Sequence, residues 1–393
     1  MESSEARRGL AAARRIVVKL GTQVVTHDGV ELAAERVDAL VDGLAALRAD
    51  GRDVLLVTSG AVGLGVRALG LPERPRSLGM RQACAAAGQG ALMSVYAAAF
   101  LRHGLVAAQV LLTQDDLGDR DRALCVRTTL MRLLELGAVP VLNENDSVSV
   151  RELVDYRRAQ GELAAPFAFG DNDELSARVA VALDAELLVL LTNVEGVYTA
   201  GPDAGGAPIP ELDVAGAAAL APSALVRETS AGGSGGMASK LEAARLAAAE
   251  GVTVVIAGGS ERDVLARIVR GENVGTLVRA AHRGARTRRI AVSAERRGAL
   301  VVNDGALAAL VARKASLLPI GVVAVEGEFE KGDVVEIRDG SGRVHGRGLV
   351  NYRAAACRAL AGRKSEDMDA LLAPAERGYD ALVTRDNLVM GNL

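Results

Sequence analysis

The sequence predicts an α/β fold, a mainly parallel sheet sandwiched by helices, followed by a small β-barrel-like domain. Three observations carry that reading. Short β-branched runs ending at glycine or small-residue turns alternate with helical stretches through residues 14–280, the pattern of a sheet covered on both faces. Beyond an arginine-rich, glycine-broken segment the pattern changes to closely spaced short strands. The length, 393 residues, and a composition that is 50% hydrophobic allow two or three domains with cores of their own. The expected division is a flexible N-terminus over 1–13, a main domain over 14–280, a linker over 281–289, a small domain over 290–370 and a tail over 371–393 packing on it.

The first strand is Arg15–Leu20, closed by Gly21-Thr22. Lys19 is its odd member. A lysine at the end of an apolar strand either emerges into a crevice to meet an anion or snorkels to the surface. An amphipathic helix over 31–50 follows, stopped at Gly51. Asp53–Thr58 is the second strand, running into Ser59-Gly60-Ala61, a small-residue crossover of the kind that faces a ligand. A long alanine-rich helix over Leu78–Leu101 is broken or closely packed at Gly88-Gln89-Gly90.

Val106–Leu112 is a third strand, 121–136 a helix, and Val139–Leu142 a fourth strand that ends in Asn143-Glu144-Asn145-Asp146-Ser147. Polar side chains where a parallel strand meets its loop are either substrate contacts or an Asx-rich turn. As contacts, Asp146 suits an ammonium group and Asn145 a carboxylate. A polar loop from Arg151 leads to Gly170-Asp171-Asn172-Asp173, which opens a helix over 175–183. One capping residue is ordinary there; three in a row exceed that need.

Glu186–Leu191 is the most apolar strand and delivers Thr192-Asn193. After a helix around 213–228 comes Gly232-Gly233-Ser234-Gly235-Gly236-Met237-Ala238-Ser239-Lys240. A glycine turn feeding a helix N-terminus offers free N–H groups and the positive end of the helix dipole to an anion, and Lys240 adds a full charge one turn in. The same composition is also that of a Gly-Ser surface linker, and the order of a Walker A loop is absent. Val252–Ile256 is a further strand. In the small domain, strands are expected at 290–292, 299–302, 321–326, 333–337 and 346–350, with a helix at 304–313.

Composition narrows the chemistry. A net charge of −3 points to no nucleic-acid or membrane partner. The three cysteines form no CxxC pattern and read as core residues of a reducing compartment. The four histidines are scattered, so no zinc site or histidine dyad can be assembled. No signal peptide or membrane span is evident, which suits a bacterial-type cytoplasmic protein. Chemistry here must run on lysines, carboxylates, amides and backbone.

Taken in order, Val17-Val18-Lys19-Leu20-Gly21-Thr22, Val57-Thr58-Ser59-Gly60-Ala61, Asn143-Glu144-Asn145-Asp146, Gly170-Asp171-Asn172-Asp173, Leu190-Leu191-Thr192 with Gly196-Val197-Tyr198-Thr199, and Gly233–Lys240 resemble the amino-acid kinase family, here with a C-terminal PUA domain. The resemblance implies the amino-acid kinase fold and ATP-dependent phosphorylation of the γ-carboxylate of L-glutamate, the first step of proline synthesis, with Mg²⁺ and inhibition by proline. By the same carry-over, Lys19 and Lys240 neutralise the transferring phosphoryl group and Asp173 holds them. Ser59, Asp146 and Asn172 bind glutamate. Lys19, Thr192, Asn193 and the run Ser234, Gly235, Gly236, Met237, Ala238, Ser239 and Lys240 bind ATP, and no protein metal ligand is assigned.

A homodimer or homotetramer and hand-over of product to glutamate-5-semialdehyde dehydrogenase are implied as well. Asn193 stands where many relatives carry Asp, and Ser234 replaces a frequent Thr. The segment 151–169 is longer than in some relatives and is expected to close the glutamate site or carry proline inhibition. Other family members use aspartate, N-acetylglutamate, carbamate or a nucleoside monophosphate; the Asn-Glu-Asn-Asp and Gly-Asp-Asn-Asp blocks and the appended domain favour glutamate. PUA domains also suggest RNA, yet residues 290–393 hold fourteen Lys and Arg against fourteen Asp and Glu, without the basic footprint RNA binding needs.

Overall fold

A computed structural model describes residues 4–27, 29–149, 172–199, 206–225, 236–261, 263–281, 297–313, 315–373 and 378–391. The chain divides into two compact units, residues 1–283 and 284–393. The strands of the first are β1 (Arg15–Leu20), β2 (Thr26–His27), β3 (Glu31–Leu32), β4 (Asp53–Val57), β5 (Ala107–Leu112), β6 (Val139–Glu144), β7 (Leu187–Thr192), β8 (Glu211–Leu212), β9 (Thr253–Gly258) and β10 (Thr276–Val278). All but the β2–β3 hairpin form one eight-stranded sheet in the order β5-β6-β4-β1-β7-β9-β10-β8. Pairing is parallel throughout except between β9 and β10.

The central strands are buried on both faces, which is why they read as unbroken Val, Leu and Ile runs rather than alternating ones. Successive residues feed opposite cores. Ile16, Val18 and Leu20 point to the layer holding Leu40, Leu44, Tyr96 and Phe100. Val17 points to the layer of Leu175, Val179, Leu241 and Ala244. Lys19 follows Val17 in this alternation, so its side chain lies on the side of the helices Asn172–Ala182 and Met237–Ala249.

Two elements differ from expectation, and a third settles an alternative. Residues 4–13, expected within a flexible N-terminus, fold into the short helices Glu5–Arg8 and Gly9–Ala12. The cause is Arg7, whose buried guanidinium donates to Glu272 O and Val274 O through Nη1 and to Pro210 O and Gly275 O through Nη2, at 2.7–3.0 Å. Of the two expectations for the helix Leu78–Leu101, broken or closely packed at Gly88-Gln89-Gly90, close packing holds and the helix is continuous. A Cβ on Gly88 would sit 1.9 Å from Ala61 O, and one on Gly65 1.7 Å from Cys84 O, so these glycines let this helix press against Ala61–Ala68. It is also the one helix among the described residues that is long and apolar enough to cross a membrane, and it buries Cys84, Ala85, Leu92, Tyr96 and Phe100 within the unit. Finally, the helix expected from 175 begins at Asn172.

The second unit contains β11 (Gly298–Val302), β12 (Val322–Gly327), β13 (Val334–Arg338), β14 (Val344–Leu349) and β15 (Leu388–Met390), in the order β12-β11-β13-β14-β15. Only β11 and β13 pair in parallel. The strand expected at 290–292 and most of the expected linker lie outside the described residues. Tyr379, Leu382 and Val383 from the final segment join Leu300, Val335, Ile337, Tyr352 and Cys357 in the core of this unit. Phe329, Tyr352 and Tyr379, the aromatic residues of this region, are all buried.

Candidate active site

The parallel strands β1, β4, β6, β7 and β9 end on the same side of the sheet, and the polar residues gather there, as the crevice rule for open α/β sheets requires. Lys19 is in register with Val57 of β4 and Leu190 of β7, one residue before β1 ends. Its ammonium lies 2.6 Å from Asp173 Oδ1. Lys240, one turn into its helix, lies 3.3 Å from Asp173 Oδ2, which also accepts from Ser239 Oγ at 2.9 Å. Two ammonium groups 221 positions apart in sequence (240 − 19) thus meet across one carboxylate.

All three charges are withdrawn from water: Asp173 is 0%, Lys19 1% and Lys240 5% exposed. Burial alone would raise the Asp173 pKa, but Lys19 and then Lys240 outweigh it and hold the carboxyl down to about 2. The cluster carries one net positive charge in a low-dielectric setting. Such a group attracts an incoming anion far more strongly than the same charges would in water. Asp173 therefore does not cap its helix as the Gly-Asp-Asn-Asp run suggested; it sits in the first turn and its carboxylate is committed to the lysines.

Beside this triad lies a chain of amides. Asn172 Nδ2 donates to Thr58 O at 2.8 Å and is 2.9 Å from both Ser59 Oγ and Asn143 Oδ1. The Glu144 N–H donates to Asn143 Oδ1 and to Asn172 Oδ1. Asn143 Nδ2 in turn donates to Gln89 Oε1 at 2.8 Å. Ser59 is placed by the β4 crossover, where Gly60 takes a φ of +108°, a conformation side chains disfavour, and starts the helix Ala61–Ala68. Asn172 is thus an organiser of the pocket wall, joining the ends of β4 and β6.

Thr192 ends β7 and is buried; its backbone carbonyl accepts from Gly259 N at 2.7 Å, and its hydroxyl is 3.3 Å from Asn193 Oδ1. Asn193 is exposed, and Asp146 is half-buried in the turn after β6. Gly236 is extended and opens the helix Met237–Ala249, with no side-chain cap among the described residues; a helix N-terminus of this kind favours an anion. Met237 is half-buried and Ala238, Ser239 and Lys240 are buried. Ser234 and Gly235, Asp171, and the segment 151–169 lie outside the described residues.

Sequence reasoning missed the contribution of the helix Leu78–Leu101. Gln82 Nε2 donates to Ser149 O, Gln89 meets Asn143, and the Tyr96 hydroxyl lies 2.7 Å from Thr58 Oγ1. The three residues are seven apart, two helical turns, so they share one face. That spacing was the available signal.

Residues 14–258 match the profile described as the Amino acid kinase family, and residues 298–372 that of the PUA domain. The chain belongs to the amino acid kinase family. Within it, curated relatives named Glutamate 5-kinase align with this chain from end to end. The enzyme of Moorella thermoacetica is 42% identical over 99% of this chain and 100% of its own. Those of Myxococcus xanthus and Streptomyces coelicolor are each 43% identical, over 98% of this chain and 99% and 98% of theirs.

Proposed function

We propose that the chain transfers the γ-phosphoryl group of ATP to the γ-carboxylate of L-glutamate, giving L-glutamyl 5-phosphate. The observation that carries the reading is the Lys19–Asp173–Lys240 cluster at the carboxyl ends of the parallel strands, in a chain similar throughout its length to glutamate 5-kinases. The carboxylate acceptor is already ionised at neutral pH, so the reaction needs no general base. The barrier is repulsion between two anions and the charge that develops on the phosphoryl oxygens. Lys19, at the end of β1, and Lys240, at a helix N-terminus, supply fixed positive charge there, and Asp173 prevents the two ammonium groups from repelling each other apart.

In this reading Ser59, Asp146 and the wall built by Asn172 and Asn143 receive glutamate, and Thr192, Asn193 and the 234–240 run receive the nucleotide. Mg²⁺ enters as the MgATP complex and offsets phosphate charge. The ion is assigned to phosphate oxygens and water, the usual arrangement for Mg²⁺ with nucleotides. Inhibition by proline, a first step in proline synthesis, a homodimeric or homotetrameric assembly and delivery of the product to glutamate-5-semialdehyde dehydrogenase belong to the same proposal and rest on the family resemblance.

The test is purified protein with ATP, Mg²⁺ and each of glutamate, aspartate, N-acetylglutamate and carbamate, trapping acyl phosphate with hydroxylamine and repeating the glutamate reaction with proline. Glutamate-dependent hydroxamate is expected. Turnover of another acceptor in preference to glutamate would overturn the assignment.

A further inference from the structure

The amide chain beside the lysine cluster has a direction, and that direction leaves one buried donor unused. The backbone carbonyl of Thr58 can only accept, so the atom of Asn172 that faces it at 2.8 Å must be the NH₂ group. The same NH₂ lies 2.9 Å from Asn143, whose facing atom is therefore its oxygen, an assignment the Glu144 N–H reinforces. Asn143 must then present its own NH₂ to Gln89, and Gln89 answers with its oxygen. Each amide fixes the next, and the sequence ends with Gln89 Nε2, a buried amide nitrogen with no hydrogen-bond partner among the described residues. A buried donor without an acceptor is costly, and one at the end of a polarised chain is poised to donate.

We propose that Gln89 is a specificity-determining residue for the acceptor, its Nε2 donating to the acceptor's carboxylate remote from phosphoryl transfer. Position supports this end of the molecule. Asn172 is the neighbour of Asp173 and hence of the lysines; Asn143 lies one amide further, and Gln89 one further again. For an extended dicarboxylic amino acid with one carboxylate at the lysines, the proposal assigns the second to the far end of this hydrogen-bonded chain. Gln89 is held for the purpose by a helix that Gly88 locks against Ala61–Ala68 one residue earlier. The inference rests on the glutamate reading above and deepens it.

The test compares wild-type protein with Gln89→Glu, which keeps the acceptor for Asn143 but replaces the free donor by an anion, and Gln89→Met, which removes both polar atoms. Steady-state KM values for glutamate and ATP are measured, together with the rate on 4-aminobutyrate, which lacks the remote carboxylate. Both variants are expected to raise the glutamate KM at least tenfold with the ATP KM within twofold of wild type. Both are also expected to narrow the preference for glutamate over 4-aminobutyrate by a similar factor. An unchanged glutamate KM in both variants would overturn the role of Gln89 while leaving the glutamate reading intact. So would parallel changes in both KM values, which mark a packing residue. A wild-type enzyme with no glutamate-dependent turnover would overturn the reading and this inference together.

Discussion

At the scale of single residues, the site is three buried charges that are stable only together. In the proposed mechanism, Lys19→Met or Lys240→Met removes an ammonium group that faces the transferring phosphoryl group. The expected loss is on the order of a hundredfold or more in kcat, since one electrostatic donor in such a site contributes about 3–4 kcal/mol. Single-turnover assays with saturating ATP would measure it. Asp173→Asn is expected to lower stability by about 3–5 kcal/mol at neutral pH, because it leaves two buried cations without their counter-charge. The Asp173 carboxyl titrates near 2 in the folded protein against an ordinary 3.8. Its stabilisation, about 2 kcal/mol, is thus fully present above about pH 4 and is lost as pH falls towards 2. Thermal melts across that range should show a steeper acid limb for wild type than for Asp173→Asn. Equal slopes would mean that the carboxyl is not held down by the lysines.

Among elements, the helix Leu78–Leu101 governs how the pocket wall is held. Ala at position 88 would drive a Cβ to 1.9 Å from Ala61 O and 2.4 Å from Gly65 N. Such overpacking costs about 1–3 kcal/mol or more, and here it also displaces Gln89. Ala at position 90 meets nothing within 4 Å and should stabilise by about 0.5–1 kcal/mol through helix propensity. Melting temperatures of Gly88→Ala and Gly90→Ala moving in the same direction would refute this account. The strands were legible because doubly buried parallel strands are continuous apolar runs, and Lys19 stood out as a charge within one. The meeting of Lys19, Asp173 and Lys240 was legible only through the family resemblance, since nothing local ties residues so far apart. Gln82, Gln89 and Tyr96 were legible only as a seven-residue spacing, with nothing to say which way it faces. In an alanine-rich helix a polar residue every two turns reads as a solvated stripe, and only the position of β4 and β6 turns that stripe inward. The short strands β8, β10 and β15 are two or three residues long and carry too little pattern to detect.

For the whole molecule, the limits set by sequence similarity and those set by physics are different lines. The family profile spans residues 14–258. The unit that folds reaches back to Arg7, whose guanidinium ties Pro210 to the 272–275 segment, and forward to β10, which covers the open edge of β9. A fragment cut to 14–258 keeps the lysine cluster but bares a buried, unpaired strand edge and abandons the Pro210 carbonyl that Arg7 satisfies. It is expected to aggregate where residues 1–283 stay dispersed, a contrast that light scattering would reveal at once. Shortening only the leader, to begin at residue 14, should lower the melting temperature and leave the KM for glutamate unmoved. The catalytic segment is in this sense cinched by its own flanks, as a barrel hoop closes staves it does not resemble. A graft or fusion that respects only the recognisable middle would inherit the chemistry without the clasp.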